Sequence, residues 1–148
     1  MSTLSPGDAQ DLLARYKRAW ERRDVDATLE LFAPDAEFRA DPFEAVLTGA
    51  NAIRAWWNTT VAGIDHVELD FERSWVSGET VLASFHGAWT ERASAERVRT
   101  RGFLTLELGS DGLIGRMRIW SRTMAVGTDA TLRAEGAVAN GASATIRG

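Results

Sequence analysis

Three residues in this chain have side chains suited to moving a proton or orienting a polar ligand in an apolar setting: Asp41, Tyr16 and His86. Asp41 closes the run Ala33–Phe43 just before Pro42, where a carboxylate leaving a strand beside Phe43 can serve as general base at a pocket mouth. Tyr16 lies on the apolar stripe of the first helical stretch. Its hydroxyl is a polar group on an apolar face, which a core tyrosine satisfies through backbone. His86, between Ser84 and Ala88, is an acid or base near neutral pH if it faces a pocket, and an outward or interface histidine otherwise. The aromatic residues Phe38, Phe43, Trp56, Trp57, Phe71, Trp89, Phe103 and Trp120 are the candidate apolar lining for a substrate. His66 starts a strand among acidic residues and reads as surface. Two histidines on separate strands, with no carboxylate at ligand spacing, argue against a metal site, and nothing calls for a cofactor.

Composition narrows the partners of such a site. At 148 residues, 45% hydrophobic and 26% charged, the chain suits one soluble domain with a real core. A net charge of −4 argues against a nucleic-acid surface, which needs a basic stripe. With no cysteine, disulfides, thiol nucleophiles and thiolate metal sites are excluded. No apolar run is long enough to span a bilayer and the first residues lack a leader pattern, so a cytoplasmic protein is expected.

The elements that must position the site follow from periodicity. Ser5-Pro6-Gly7-Asp8 starts a helix in which Leu12, Leu13, Tyr16, Ala19 and Trp20 share a face, ending near Arg23. Asp24 caps a second helix over Val25–Phe32, stopped by Pro34. Ala36–Asp41 alternates as a short strand, Phe43–Thr48 returns as another, and Gly49–Gly63 is a third helix. Trp56 and Trp57 are about 100° apart on it, so one packs inward and the other covers the rim or an interface. Alternation pairs Ala40 with Phe38 and turns Asp41 to the other face unless a bulge re-aims it. Four long strand patterns follow: Val67–Val76 (Phe71 and Trp75 on one side), Val81–Thr90, Val98–Leu108 and Leu113–Arg122, with turns at Ser77-Gly78-Glu79 and Ser110-Asp111-Gly112.

This order, helices and short strands followed by a four-strand antiparallel meander, is an α+β layout over residues 1–122, whose sheet either curls around the helices or buries its outer face against a partner. Residues 123–148 are rich in Ala, Gly and Thr and lack aromatics, and read as an appended arm. Three helices cannot cover both faces of such a sheet. Strands with apolar residues on both sides, such as Leu104 and Leu106 opposite Phe103, predict a homodimer through the outer sheet face. An acidic row (Glu68, Asp70, Glu72) and a basic row (Arg116, Arg118, Arg122) either pair across strands or subunits or stay solvated.

Leu13-Ala14-Arg15-Tyr16, Trp20, Asp24-Val25-Asp26-Ala27, Leu31–Ala36, Asp41-Pro42-Phe43, Gly49–Ile53, Gly112-Leu113-Ile114 and Ile119-Trp120-Ser121 occur in an order that resembles the nuclear transport factor 2-like superfamily. Within it the sequence is most similar to SnoaL-like domains and ketosteroid isomerases, over roughly residues 8–122. The resemblance implies a cone, a curved antiparallel sheet closed by three helices (a cystatin-like or nuclear transport factor 2-like fold), with a pocket at its wide end. It also implies roles: Asp41 in the place of the base that removes a proton next to a ketone, Tyr16 in that of the donor to the enolate oxygen. The second carboxyl donor of the isomerases has no counterpart, because Gly102-Phe103-Leu104-Thr105 holds no acid.

The function expected is therefore a SnoaL-like pocket protein for a small hydrophobic carbonyl compound. Either it is a cofactor-independent isomerase, cyclase or dehydratase, or it is a non-catalytic ligand-binding or dimeric interaction module of the same fold.

Overall fold

In a computed structural model, which describes residues 4–128, the chain folds as α1 (Pro6–Glu21), α2 (Val25–Leu29), β1 (Phe32–Arg39), β2 (Leu47–Thr48), α3 (Ala50–Ala62), β3 (Ile64–Ser77), β4 (Thr80–Glu91), β5 (Glu96–Leu108) and β6 (Ile114–Thr128). One six-stranded sheet has the order β2-β1-β6-β5-β4-β3. Strands β3 to β6 form the antiparallel meander expected from alternation, and β1 joins its β6 edge in parallel. The sheet is curved and unclosed; α1 packs against β3 and α3 against β1, and α2 packs on those two helices.

Each helix starts where its sequence says it should. Ser5 and Asp8 exchange side-chain and backbone hydrogen bonds as a capping box, with Pro6 in the first turn. Asp24 caps α2 by accepting from the Ala27 N–H. That helix stops at Leu29, short of the expected Phe32, because the next residues are taken into the sheet. The Leu31 carbonyl accepts from the Ile114 N–H, and Phe32 lies opposite Ile114. Pro34 is tolerated inside β1 because the register shifts between Phe32 and Glu37, leaving its missing N–H without a ladder partner to fail.

Curvature comes from bulges and from one close approach. A β-carbon on Gly102 would stand 2.0 Å from the Trp120 carbonyl oxygen, so only glycine lets β5 and β6 meet there. A bulge between Phe71 and Arg73 changes the phase of β3. Trp75, expected on the side of Phe71, is thereby turned to the outer face opposite Leu82, and Val76 takes the inner place opposite Val81. The last strand also outruns its expected end at Arg122 and continues through Thr128 beside β5, so the first part of the supposed arm is sheet. The remainder of that arm, 129–148, lies outside the described residues.

The core sits between helices and concave face, built from Leu12, Leu13 and Tyr16 of α1, Ile53 and Trp57 of α3, and Phe38, Leu69, Val81, Phe85, Leu106, Ile114 and Met117 of the sheet. Among the described residues no helix is long and apolar enough to cross a membrane.

Candidate functional site

The inside of the cone is an interlocked aromatic cluster, and its parts come from every element that the apolar periodicities face inward. Trp57 of α3 is its hub, 2% exposed. Its ring meets Trp20 at 4.8 Å, Trp56 at 5.0 Å, Tyr16 at 6.0 Å and Phe38 at 6.1 Å between centroids, mostly edge to face. Phe38 also meets Trp56 at 4.8 Å, Tyr16 meets Phe71 at 6.2 Å, and Trp20 meets Trp89 at 6.4 Å. Of the two neighbouring indoles on α3, Trp57 is buried and Trp56 is half-buried, as their angular separation requires. Trp20 was not among the expected lining residues. Its signal was its place four residues after Tyr16 on one helical face.

One buried polar group sits unanswered in this shell, beside a neutral tyrosine hydroxyl. The Trp57 Nε1–H is buried and has no hydrogen-bond acceptor among the described residues. The Tyr16 hydroxyl has no protein hydrogen-bond partner among the described residues, and burial pushes its pKa above the ordinary tyrosine value, so it stays a neutral donor. A buried donor without an acceptor costs stability and calls for an explanation. The Trp89 Nε1–H, by contrast, is satisfied 3.2 Å from Glu91 Oε1.

The structure does not bring the other expected site residues to this cluster. β1 ends at Arg39, so Asp41 lies beyond the strand. Its Oδ1 accepts from the Phe43 N–H at 2.8 Å and its carbonyl accepts from the Glu44 N–H, the bonding of a residue that opens a turn. Phe43 is 98% exposed and lines nothing. His86 faces outward on β4, opposite Asp70 of β3 and Arg101 of β5. Its Nε2 is 3.6 Å from Asp70 Oδ2, and its Nδ1 is 3.2 Å from Glu72 Oε2 without hydrogen-bond alignment. Phe103 and Trp120, opposite each other on β5 and β6, are 48% and 40% exposed on the outer face. Alternation places them there, since Leu104 on one strand and Met117 on the other are buried in the core.

Two clefts open elsewhere on the surface. One of about 670 Å³ lies between the α1–α2 turn and α3, lined by Arg22, Arg23, Asp26, Arg54 and Asn58 among others. The other, about 340 Å³, lies between the start of α1 and the β5–β6 turn. Neither contains Tyr16, Asp41 or His86. Among the described residues no group of three or more His, Asp or Glu side chains is placed to hold a metal ion.

Comparison with known proteins agrees with this architecture. The epoxide hydrolase/cyclase-like enzyme SalBIII, of pyran ring formation in the polyether salinomycin, superposes with a TM-score of 0.72 at 21% identity, over 80% of this chain and 96% of that one. RV0760c from Mycobacterium tuberculosis, in complex with an estradiol hemisuccinate, gives 0.66 at 19% identity over 76% and 92%. Among curated sequences, the ECF RNA polymerase sigma factor SigG of Mycobacterium tuberculosis is 46% identical over 53 residues, which is 36% of this chain and only 14% of that protein. The SnoaL-like domain family matches residues 13–117, most of the cone. The chain belongs to the SnoaL-like domain family, with the nuclear transport factor 2-like fold.

Proposed function

We propose that this domain binds a small hydrophobic molecule carrying a carbonyl or similar acceptor, received by the aromatic cluster inside the cone. The observation that carries this reading is the buried Trp57 Nε1–H with no acceptor among the described residues, beside the neutral Tyr16 phenol. A ligand oxygen would satisfy both donors in surroundings where a hydrogen bond is electrostatically strong. The half-buried Trp56 and Trp20 next to the hub are the side chains that must give way to admit it. SalBIII and the steroid-bound RV0760c are relatives in fold whose names point to the same broad class of apolar, oxygen-bearing small molecules.

Binding without turnover is preferred to proton-transfer chemistry for one reason. A general base needs a carboxylate free to reach the proton, and the Asp41 carboxylate is held by the Phe43 N–H. An isomerase, cyclase or dehydratase using Asp41 and Tyr16 is the second reading.

The test is titration of tryptophan fluorescence with a panel of cyclic ketones, each paired with its deoxygenated hydrocarbon. Trp57→Phe should weaken ketone binding about three- to tenfold, the loss of one hydrogen bond, and leave hydrocarbon binding nearly unchanged. Equal losses for both members of each pair, or no binding by the wild type, defeat the reading. Turnover of a β,γ-unsaturated ketone that Asp41→Asn abolishes would replace it with the second.

A further inference from the structure

Among the described residues three buried side-chain nitrogens lack a hydrogen-bond partner. Trp57 Nε1 belongs to the cone, and His86 Nδ1 stands 3.2 Å from Glu72 Oε2, where a small tilt would satisfy it. The third, Arg39 Nε, is part of a permanent charge and has no such remedy. Arg39 is half-buried at the last position of β1, and its guanidinium makes no ion pair among the described residues. Arg99, Arg101 and Arg122 also lack a carboxylate there, but they are exposed, so water can serve them. A charged donor shut off from both water and carboxylate is costly to keep.

The nearby acids are committed elsewhere. The outer face sorts its charges, with Asp70 and Glu72 on the β3 side beside His86 and a second cluster where β1 meets β6. In that cluster Glu37 lies 3.4 Å from Arg116 and 3.7 Å from Arg118, and Glu107 lies 3.7 Å from Arg116. Asp41, two residues on from Arg39, gives its Oδ1 to the Phe43 N–H. Strand register sets Arg39 directly beside Arg118, a like charge whose side chain is 22% exposed. Arg39, Arg116 and Arg118 against Glu37 and Glu107 leave the cluster one positive charge in excess. Beside it lie a hydroxyl and an apolar surface. Thr105 stands opposite Arg118 on β5, and Trp120, two residues along β6, is 40% exposed opposite Phe103. The register with β1 ends at Arg118, so no strand flanks Trp120 on that side.

We infer that Arg39 and Arg118 hold the carboxylate of a small organic monoanion whose apolar body lies on Trp120. The Nε–H and one Nη–H of a guanidinium form a fork that matches the two oxygens of a carboxylate. Rotation about the last bonds of Arg39 would then satisfy its orphan Nε–H and supply its countercharge in one step. Arg39 is the anchor, because Arg118 already shares Glu37 with Arg116. One excess positive charge asks for one negative charge. A carboxylate neutralises it, whereas a phosphate, at about −1.5 to −2 near neutral pH, overshoots beside Glu37. Arg39 alternates along β1 with Phe38, whose ring is in the aromatic cluster, so this site is on the other side of the sheet. It is independent of what the cone binds.

Calorimetric titration with 2-naphthoate, with its neutral amide and inorganic phosphate as controls, tests it. Arg39→Gln should weaken naphthoate binding at least about tenfold and leave any binding of the amide unchanged. Arg39→Lys keeps the charge but loses the fork, and should fall between. Trp120→Ala should also weaken naphthoate, Trp57→Phe in the cone should not, and equimolar phosphate should not displace it. A stability readout separates a ligand group from a structural one. Arg39→Met removes an uncompensated charge from the free protein, so its urea midpoint should hold or rise, and only the wild type should be stabilised further by naphthoate. A wild type that binds no naphthoate up to about 10 mM overturns the inference. So does an Arg39→Gln variant that binds it like wild type, or that loses acid and amide equally. Loss of naphthoate binding in Trp57→Phe would put the acid in the cone, and a lowered midpoint in Arg39→Met would make Arg39 structural; either overturns it as well.

Discussion

The two faces of this sheet use the same residue types for opposite ends. Inside, Trp57, Trp56, Trp20, Tyr16 and Phe38 meet edge to face at angles that interlock them, and the charges stay out. Outside, Trp75 and Phe103 lie nearly parallel at 25°, capped by an arginine and flanked by sorted charge. Interlocked rings resist rearrangement because each fills the space its neighbours leave. Parallel rings on an open face are available to whatever lies on top of them. The inner aromatics therefore carry the stability of the fold, and the outer ones add little to it.

The largest contrast should come from removing one indole on each side. Trp57→Ala takes out the hub and should cost about 3–5 kcal/mol of monomer stability, while Trp120→Ala, half exposed, should cost within about 0.5 kcal/mol. Urea unfolding of the two variants at a concentration where both are monomeric measures the difference. Similar losses would mean that the hub can collapse around the gap, or that Trp120 packs more than its exposure shows. A smaller but still clear effect is expected where the faces are joined. Gly102→Ala drives a methyl group into the Trp120 backbone, and should cost about 1–3 kcal/mol, as overpacking does. An unchanged urea midpoint would show that β5 and β6 can part there without loss.

How far the sequence spoke differs between the faces in the same way. The inner face was legible because hydrophobic periodicity reports burial. Helical spacing placed Tyr16 on the inward stripe and put one of Trp56 and Trp57 inside without deciding which. The caps at Ser5 and Asp24 and the order of elements follow from local chemistry. Trp75 was not placed correctly, since a single bulge at Phe71–Arg73 inverts everything after it and leaves no mark in composition. Phe103 and Trp120 were assigned to the lining although alternation already had Leu104 facing inward on the same strand. The attraction of an aromatic residue as a ligand contact outweighed its phase. Asp41 was the hardest of the candidates. Its role turned on where β1 ends, and strand ends are fixed by pairing with β6, which no local pattern encodes.

The finest test of the inside–outside contrast lies in two consecutive residues of α1. Tyr16 faces the core, and burial raises its pKa from the ordinary 10.0. Lys17 sits at the helix–sheet edge, where its Nζ donates to Glu21 Oε2 at 2.7 Å and to the Leu69 carbonyl at 2.6 Å, with Asp70 at 3.3 Å. The Glu21 hydrogen bond foremost, and Asp70 beside it, raise its pKa from 10.5. Both groups hold their protons more tightly folded than unfolded. The stability each contributes is complete below its unfolded pKa and drains away as pH rises toward its folded one, by at most about 1.4 kcal/mol per pH unit for one proton. The causes differ, so the two can be separated above about pH 10. Tyr16→Phe should flatten part of the alkaline decline equally at low and high salt, because desolvation is not screened. Lys17→Met should flatten another, smaller part that is visible at low ionic strength and fades in molar salt, as a half-exposed ion pair does. If salt erases the Tyr16 part instead, its phenol answers to a charge near the cone's interior, and the separation between a dry inner face and a charged outer one is weaker than the packing implies.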